Sequence, residues 1–166
     1  MVEIREAEWG DLPGILAIYN EVIATSTAVY SDAPATLENR RAWLEGRQER
    51  GFPVLVGVDA AGVAGFSSFG DFRGAFSGYR HSVEHSVHIR SDLRGQGLGK
   101  RLVEALFPHA RAMHMHVMIG AIDAANAGSI RFHEKLGFTQ AGLFREVGRK
   151  FDRWLDLVFM QRILEA

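Results

Sequence analysis

The sequence contains no cysteine, and this absence excludes several kinds of chemistry. Disulfide bonds, thiolate metal sites and a covalent acyl-cysteine intermediate are all ruled out. An excess of charge is also missing, because 19 Lys and Arg residues nearly balance 20 Asp and Glu residues, giving a net charge of -1. We therefore expect no nucleic-acid partner and no binding to an anionic membrane.

Long apolar runs are absent as well, and none reaches the roughly 18 residues that a membrane-spanning helix requires. The segment from Met1 to Glu8 is charged and lacks the apolar centre of a signal peptide. A cytoplasmic protein is therefore expected. The 166 residues, 47% of them hydrophobic, suffice for one core and show no repeat or linker, so we expect a single domain over residues 1–166.

The spacing of apolar residues predicts a mixed α/β fold. Helices are indicated at 11–23, where Asp11 is the expected N-cap, and at 36–51, 97–112 and 128–136. Strands are indicated at 2–5, 53–58, 63–69, 81–89, 116–122, 139–147 and 154–163. This order predicts a mixed, mostly antiparallel sheet flanked by helices.

A glycine-rich segment between the strand at 81–89 and the helix at 97–112 is the most specific motif. It reads Arg94-Gly95-Gln96-Gly97-Leu98-Gly99-Lys100. Glycines let backbone N–H groups approach a ligand closely, and the helix that follows adds unpaired N–H groups and the positive end of its dipole. The combination suits a pyrophosphate, with the flanking Arg and Lys adding charge at the rim.

Spacing excludes two other phosphate-binding motifs. A P-loop would need Gly in place of Arg94 and Ser or Thr in place of Arg101. A Rossmann turn would need Gly-x-Gly-x-x-Gly, whereas the chain has Gly95-x-Gly97-x-Gly99. A glycine-rich helix start that binds no ligand remains the alternative.

The pattern Arg94-x-x-Gly97-x-Gly99 resembles the Arg/Gln-x-x-Gly-x-Gly/Ala signature of the GNAT superfamily of N-acetyltransferases, which binds the pyrophosphate of acetyl-CoA. Segment 83–89 is similar to the strand before this signature, and 126–138 is similar to the family's later CoA-contacting helix. The resemblance implies the GNAT fold, with acetyl-CoA entering where two parallel central strands part. It implies CoA contacts from Val87, His88, Ile89, Arg94, Gly95, Gln96, Gly97, Leu98, Gly99, Lys100, Asn126, Ser129 and His133.

Segment 148–156 resembles one subgroup in particular, the phosphinothricin and methionine sulfoximine acetyltransferases. By this resemblance, the acceptor is the α-amine of phosphinothricin, methionine sulfoximine or methionine sulfone. Homodimers are common in the subgroup, so a homodimer is also expected. Two other functions stay open: acetylation of a protein N-terminus or a polyamine, and a CoA-binding module without turnover.

Glu84 is the candidate catalytic base. Alternation along 81–89 places Glu84 and His88 on one face and Val83 and Val87 on the other. An exposed carboxylate is the simpler interpretation, but the subgroup carries its general base at this matching position. An acceptor amine is mostly ammonium at neutral pH and must lose a proton before it attacks the thioester. A backbone N–H near Val87 is the expected donor to the oxyanion.

The group that protonates the leaving thiolate is left open. Many GNAT enzymes use a Tyr after the turn that contains Asn126, but here the stretch reads Arg131-Phe132-His133. His133 therefore has two interpretations, a contact to CoA or a histidine packed against the sheet. Asn126 is expected to cap the short helix that follows it.

The loop from Gly70 to Arg80 is the expected acceptor-binding segment. Its two arginines stand among three aromatic residues, which suits a small zwitterion, although a surface loop with anchoring aromatics is the alternative. The predicted acceptor contacts are Tyr30, Phe72, Arg73, Ala75, Phe76, Tyr79, Arg80 and Glu84. No metal site is expected, because no carboxylate or cysteine completes the pairs His114-x-His116 and His85-x-x-His88.

Overall fold

The computed structural model describes residues 1–164, which form seven strands and four α-helices in the predicted order. The helices are α1 (Leu12–Thr25), α2 (Leu37–Glu49), α3 (Leu98–Ala112) and α4 (Ala127–Lys135). The strands are β1 (Glu3–Glu6), β2 (Val54–Asp59), β3 (Gly62–Asp71), β4 (Ser82–Ile89), β5 (Val117–Asp123), β6 (Thr139–Lys150) and β7 (Arg153–Ile163).

The seven strands form one sheet in the order β1-β2-β3-β4-β5-β7-β6. Within residues 1–164 every neighbouring pair is antiparallel except β4 and β5, so the predicted mixed, mostly antiparallel sheet is confirmed. The parallel pair is short, with only Ser82–Val117, Val83–Met118 and Glu84–Ile119 in register. Beyond Glu84 the two strands separate, which leaves alternate backbone polar groups of β4 without a β5 partner.

Helices cover both faces of the sheet. On one face α1 and α2 pack on β2 and β3 through a core that includes Leu12, Ile15, Leu44, Val56 and Phe66. On the other face α3 packs through a larger core that includes Val83, Leu102, Leu106, Met118 and Phe138. Within residues 1–164, no helix is long and apolar enough to cross a membrane.

Side-chain caps fix the starts of two helices. Thr36 Oγ1 accepts a hydrogen bond from the Asn39 N–H at 3.1 Å and begins α2. Asn126 Oδ1 accepts from the Ser129 N–H at 3.0 Å and begins α4, which confirms the predicted cap.

The predicted cap of α1 is wrong. Asp11 precedes the helix, but its carboxylate makes no capping hydrogen bond. It accepts instead from Arg5 at 2.7 and 2.9 Å and from the Glu8 N–H at 2.8 Å. Two hydrogen bonds from an arginine and one from a backbone N–H stabilise this carboxylate more than a single hydrogen bond from a helix N–H would.

β6 and β7 form a long hairpin that extends beyond the predicted strand end at residue 147. Its turn consists of Phe151 and Asp152, which have φ values of 51° and 57°. Two positive φ values match the right-handed twist of a hairpin, although Gly or Asn usually occupies such positions. The register shifts between Gln140 and Gly142 and again between Phe144 and Gly148, so the hairpin is locally bent.

Candidate active site

A cleft of about 540 Å³ opens where β4 and β5 separate. One wall is Glu84 to His88 of β4 and the other is Gly120 to Asp123 of β5. Residues 27–30, which connect α1 to α2, also line the cleft, together with side chains of both helices. The start of α4 closes the remaining side through Asn126, Ser129, Phe132 and His133.

The glycine-rich turn follows β4 directly and begins α3. Gly95 and Gly97 have φ values of 76° and 83°, a backbone conformation that favours glycine. A Cβ added at either position would meet no atom within 4 Å, so open space lies above this backbone. The first N–H groups of α3 have no partner within the helix. Exposed N–H groups with free space above them fit a pyrophosphate.

Glu84 lies in the cleft wall, half-buried, on the face covered by α1 and α2. Burial raises the pKa of this carboxyl above its usual range, and the positive charge of Arg47 opposes the rise. A carboxylate with a raised pKa is a better proton acceptor at neutral pH than an ordinary glutamate. The position and the electrostatics of Glu84 suit a general base.

Helices α1 and α2 add an aromatic and cationic wall to the cleft. The Arg40 guanidinium stacks 4.1 Å from the Tyr19 ring centroid and 5.0 Å from that of Trp43. His88 packs edge-on against Tyr19 and near Phe66. Burial, with the charges of Arg40 and Arg94, lowers the pKa of His88 to about 4. His88 is therefore neutral at physiological pH and lies on the same face as Glu84, as the alternation predicts.

Two buried histidines join β4 to α4 across the cleft. His133 Nδ1 lies 2.7 Å from the Ser129 carbonyl, so this nitrogen carries the proton and donates. His133 Nε2 then accepts from His85 Nε2, 3.0 Å away, and His85 Nδ1 is left buried without a partner. Burial lowers the pKa of both rings, that of His85 to about 3. Both nitrogens of His133 are already engaged in this arrangement.

Contacts from β5, β6 and β7 hold the connection between α1 and α2 over the cleft. Thr27 Oγ1 donates to Asp123 Oδ2 at 2.5 Å, and the Tyr30 hydroxyl lies 3.3 Å from the Asp156 carbonyl. The Tyr30 ring lies on the bare backbone of Gly148, where a Cβ would overlap it. Glycine at position 148 is therefore required by close packing.

Lys150, at the end of β6, is 2% exposed and holds the same connection. Its ammonium donates to the carbonyls of Ile23, Ser26 and Val29 at 2.6, 2.7 and 2.8 Å. Three donors meet three acceptors, so this buried cation is fully hydrogen-bonded. Lys150 therefore has a structural role that the sequence did not indicate.

The cleft brings together part of the predicted site. Its walls include Tyr30, Glu84, Val87, His88, Asn126, Ser129 and His133. Ile89, the last residue of β4, and the turn from Arg94 to Lys100 lie outside the lining of the cleft. In that turn Arg94 pairs with Glu21 at 3.2 Å.

The predicted acceptor loop lies apart from the cleft in this structure. Phe72 packs on Tyr79 and Phe159, and the Arg73 guanidinium lies over the rings of Phe76 and Tyr79. The rest of the predicted loop set, Ala75 and Arg80, is exposed. None of these loop residues lines the cleft, and their role in acceptor binding stays a prediction.

The sequence reasoning missed the residues of α2 that line the cleft, Arg40, Trp43 and Arg47. A signal was present. Arg40 and Arg47 are seven residues apart and share a helix face with the buried Leu44. An arginine at a position where the helical pattern calls for an apolar residue indicates a buried charge that has a partner or a ligand.

Comparisons with known proteins agree with this geometry. A family model described as the acetyltransferase (GNAT) family matches residues 15–138. Over 163 residues the chain is 52% identical to an L-methionine sulfoximine/L-methionine sulfone acetyltransferase from Pseudomonas aeruginosa, covering 98% of this chain and 94% of the relative.

Two crystal structures extend the comparison. A ribosomal-protein-alanine N-acetyltransferase from Brucella melitensis is 47% identical with a TM-score of 0.95, over 98% of this chain and 99% of that one. A phosphinothricin acetyltransferase from Sinorhizobium meliloti, in complex with acetyl-CoA, is 34% identical with a TM-score of 0.93, over 98% and 88% of the two chains.

These matches confirm the resemblance that the glycine-rich turn indicates, and they confirm the predicted GNAT fold. Because the identity exceeds 30% over nearly the whole chain, the matches show the enzyme class as well as the fold: the protein is an acetyl-CoA-dependent N-acetyltransferase. The chain belongs to the GNAT family of acetyltransferases.

Proposed function

We propose that this protein transfers the acetyl group of acetyl-CoA to the α-amine of a small amino-acid analogue such as methionine sulfoximine, methionine sulfone or phosphinothricin. The observation that carries the proposal is Glu84, a half-buried carboxylate with a raised pKa, in the wall of the cleft between β4 and β5. The names of the relatives from P. aeruginosa and S. meliloti support this acceptor class.

Acetyl-CoA supplies the activated acetyl group, and the protein's own residues hold it. The N–H groups around Gly97 and Gly99 would hold the pyrophosphate, and Asn126 and Ser129 at the start of α4 would contact the pantetheine arm. Backbone N–H groups of β4 near Val87, beyond the last β4–β5 pair, would donate to the acetyl carbonyl and stabilise the oxyanion. An acceptor amine next to Glu84 would then meet the thioester in the opening between β4 and β5.

Glu84 takes the proton of the acceptor ammonium, directly or through one water, and the free amine attacks in a ternary complex. The sequence offers no cysteine for a covalent acyl intermediate. His133 serves as a structural link rather than as an acid, because its two nitrogens are bonded to Ser129 and His85. As the C–S bond breaks, CoA leaves as a thiolate, a good leaving group, and the second amine proton passes to this thiolate or to solvent. No metal takes part in this scheme.

The assay that tests this function measures free thiol released from acetyl-CoA against a panel of amines. The panel contains methionine sulfoximine, methionine sulfone, phosphinothricin, ordinary amino acids, a polyamine and a peptide that begins with Ala. We expect kcat/KM to be highest for the sulfone, sulfoximine or phosphinothricin. Turnover of the peptide alone would overturn the proposed acceptor and favour the activity named for the B. melitensis relative.

We further propose that the protein works as a homodimer, in the cytoplasm. The support for a dimer is a group of large apolar side chains left exposed on the β6–β7 hairpin. They are Leu143, Phe144, Val147, Phe151 and Trp154. The cytoplasmic location is proposed from the family of acetyl-CoA-dependent enzymes to which the chain belongs.

Sedimentation equilibrium tests the dimer. The wild type is expected at twice the 18.4 kDa chain mass, and the double variant Phe144→Asp/Trp154→Asp at the chain mass. Trp9→Asp is the control, since Trp9 is 49% exposed at a distance from the hairpin in sequence. A wild type that sediments as a monomer at micromolar concentration would contradict the proposal.

A further inference from the structure

Arg47, in the last turn of α2, lies over the backbone of Gly70 at the acceptor side of the cleft. A Cβ at Gly70 would overlap its Nη1, so the guanidinium occupies the space that the missing side chain leaves. Gly70 of β3 is paired in register with Glu84 of β4. Directly paired residues point to the same face of a sheet. The guanidinium is therefore placed beside the Glu84 carboxylate.

Among the described residues, Arg47 lacks hydrogen-bond partners of the kind that the buried ammonium of Lys150 has. Lys150 donates to three carbonyls, as described above. Within residues 1–164, no carboxylate forms an ion pair with Arg47, and its Nε is buried without a hydrogen-bond partner. The nearby Asp71 is paired with Arg50 at 2.8 Å. A half-buried guanidinium without partners is unfavourable unless a ligand completes it.

The shape of an α-amino acid matches this arrangement. Its carboxylate is one carbon away from its amine, so an amine held at Glu84 brings the carboxylate to the neighbouring guanidinium. A guanidinium binds a carboxylate through two parallel hydrogen bonds. Arg40, the other arginine of this wall, is already engaged, because its Nε and Nη2 donate to Asn39 at 3.0 and 2.8 Å.

We propose that Arg47 binds the carboxylate of the acceptor and so makes the enzyme specific for α-amino acids over other amines. The inference rests on the proposed function and deepens it. It assigns the carboxylate to α2, whereas the sequence pattern assigned it to Arg73 or Arg80 of the loop.

The test compares two acceptors that differ only in the carboxylate, methionine sulfone and the amine left when its carboxylate is removed. In the wild type, kcat/KM is expected to favour the amino acid by about 100-fold, in the range expected for charge-assisted hydrogen bonds. In Arg47→Met the preference falls below about 5-fold, mainly through a higher KM for the amino acid. The decarboxylated amine controls for any change in the Glu84 pKa, which affects both acceptors.

A second variant displaces Arg47 without changing it. Gly70→Ala places a methyl group where the guanidinium lies and is expected to reduce the same preference. Because both changes remove one interaction, the double variant should be no worse than Arg47→Met alone. Arg47→Lys keeps a charge without the planar fork and should keep part of the preference. Arg41→Met, exposed on the same helix, is the matched control and should leave the preference unchanged.

Three results would overturn the inference. If Arg47→Met lowers kcat/KM equally for both acceptors, Arg47 does not bind the carboxylate. If Arg73→Met or Arg80→Met removes the preference and Arg47→Met does not, the carboxylate binds to the loop. If the wild type acetylates neither acceptor but turns over a peptide or polyamine, the proposed function fails and the inference fails with it.

Discussion

Glu84→Gln is expected to lower kcat/KM for the amine acceptor by about 10²- to 10⁴-fold at pH 7, the range usual for loss of a general base. Glutamine has nearly the same shape as glutamate but cannot accept a proton, so the acceptor remains a non-nucleophilic ammonium. The KM for acetyl-CoA should stay within about two-fold, because the cofactor contacts come from other residues.

The pH dependence of the two enzymes separates the base from a merely structural carboxylate. Burial raises the pKa of Glu84, so wild-type kcat/KM should rise with pH through a value above that of an ordinary glutamate. In Glu84→Gln, kcat/KM should not rise with pH through this pKa. The residual rate of the variant should increase towards the pKa of the acceptor amine, where solvent removes the proton, and the gap between the enzymes should narrow at high pH.

Glu45→Gln, an exposed carboxylate on α2, serves as the control and should keep wild-type kinetics. Two findings would count against Glu84 as the base. One is a rise of kcat/KM with pH through the same pKa in Glu84→Gln as in the wild type. The other is a loss of activity that lies wholly in the KM for acetyl-CoA.

Lowering the pH from 7.5 to 5 is expected to reduce the free energy of unfolding by about 4 kcal/mol through His85 and His88. Their pKa values are about 3 and about 4 in the folded protein, against 6.5 for an ordinary histidine. Below pH 6.5 the unfolded chain therefore binds protons that the folded chain excludes. Stability is fully present above pH 6.5 and is lost as the pH falls towards the folded pKa values. The lowered pKa of His133 acts in the same direction.

Urea unfolding at a series of pH values measures this loss. His88→Phe keeps an aromatic ring between Tyr19 and Phe66 but cannot be protonated, so about half of the loss should disappear. His116→Gln, at an exposed histidine, should leave the pH dependence as it is. An identical loss in wild type and His88→Phe would show that His88 does not exclude protons in the folded state.

Most of the fold could be predicted from the sequence, because apolar spacing reports which face of each element is buried. The cap at Asn126 and the faces of β4 followed from local rules of the same kind. The cap at Asp11 did not, since Arg5 competes for its carboxylate from a neighbouring strand. A residue that is favoured as an N-cap does not cap its helix when a side chain from elsewhere in the chain binds it more strongly.

The site was less accessible to sequence reasoning. Glu84 could be proposed from its place before the glycine-rich turn. Arg47 could not, because its proposed role depends on its contact with Gly70 and on the pairing of β3 with β4. The hydrogen bond between His85 and His133 likewise joins residues 48 positions apart. Such contacts exist only once the sheet has formed, and no local pattern encodes them.

The three hydrogen bonds of the Lys150 ammonium connect two parts of the chain that are far apart in sequence. The amine comes from the second-last strand and its three carbonyls from the first helix and the segment after it, more than 120 residues earlier. These hydrogen bonds can therefore form only after β6 has joined the sheet. The position of the segment that follows α1 is thus fixed by a strand at the far edge of the sheet and not by its own sequence alone.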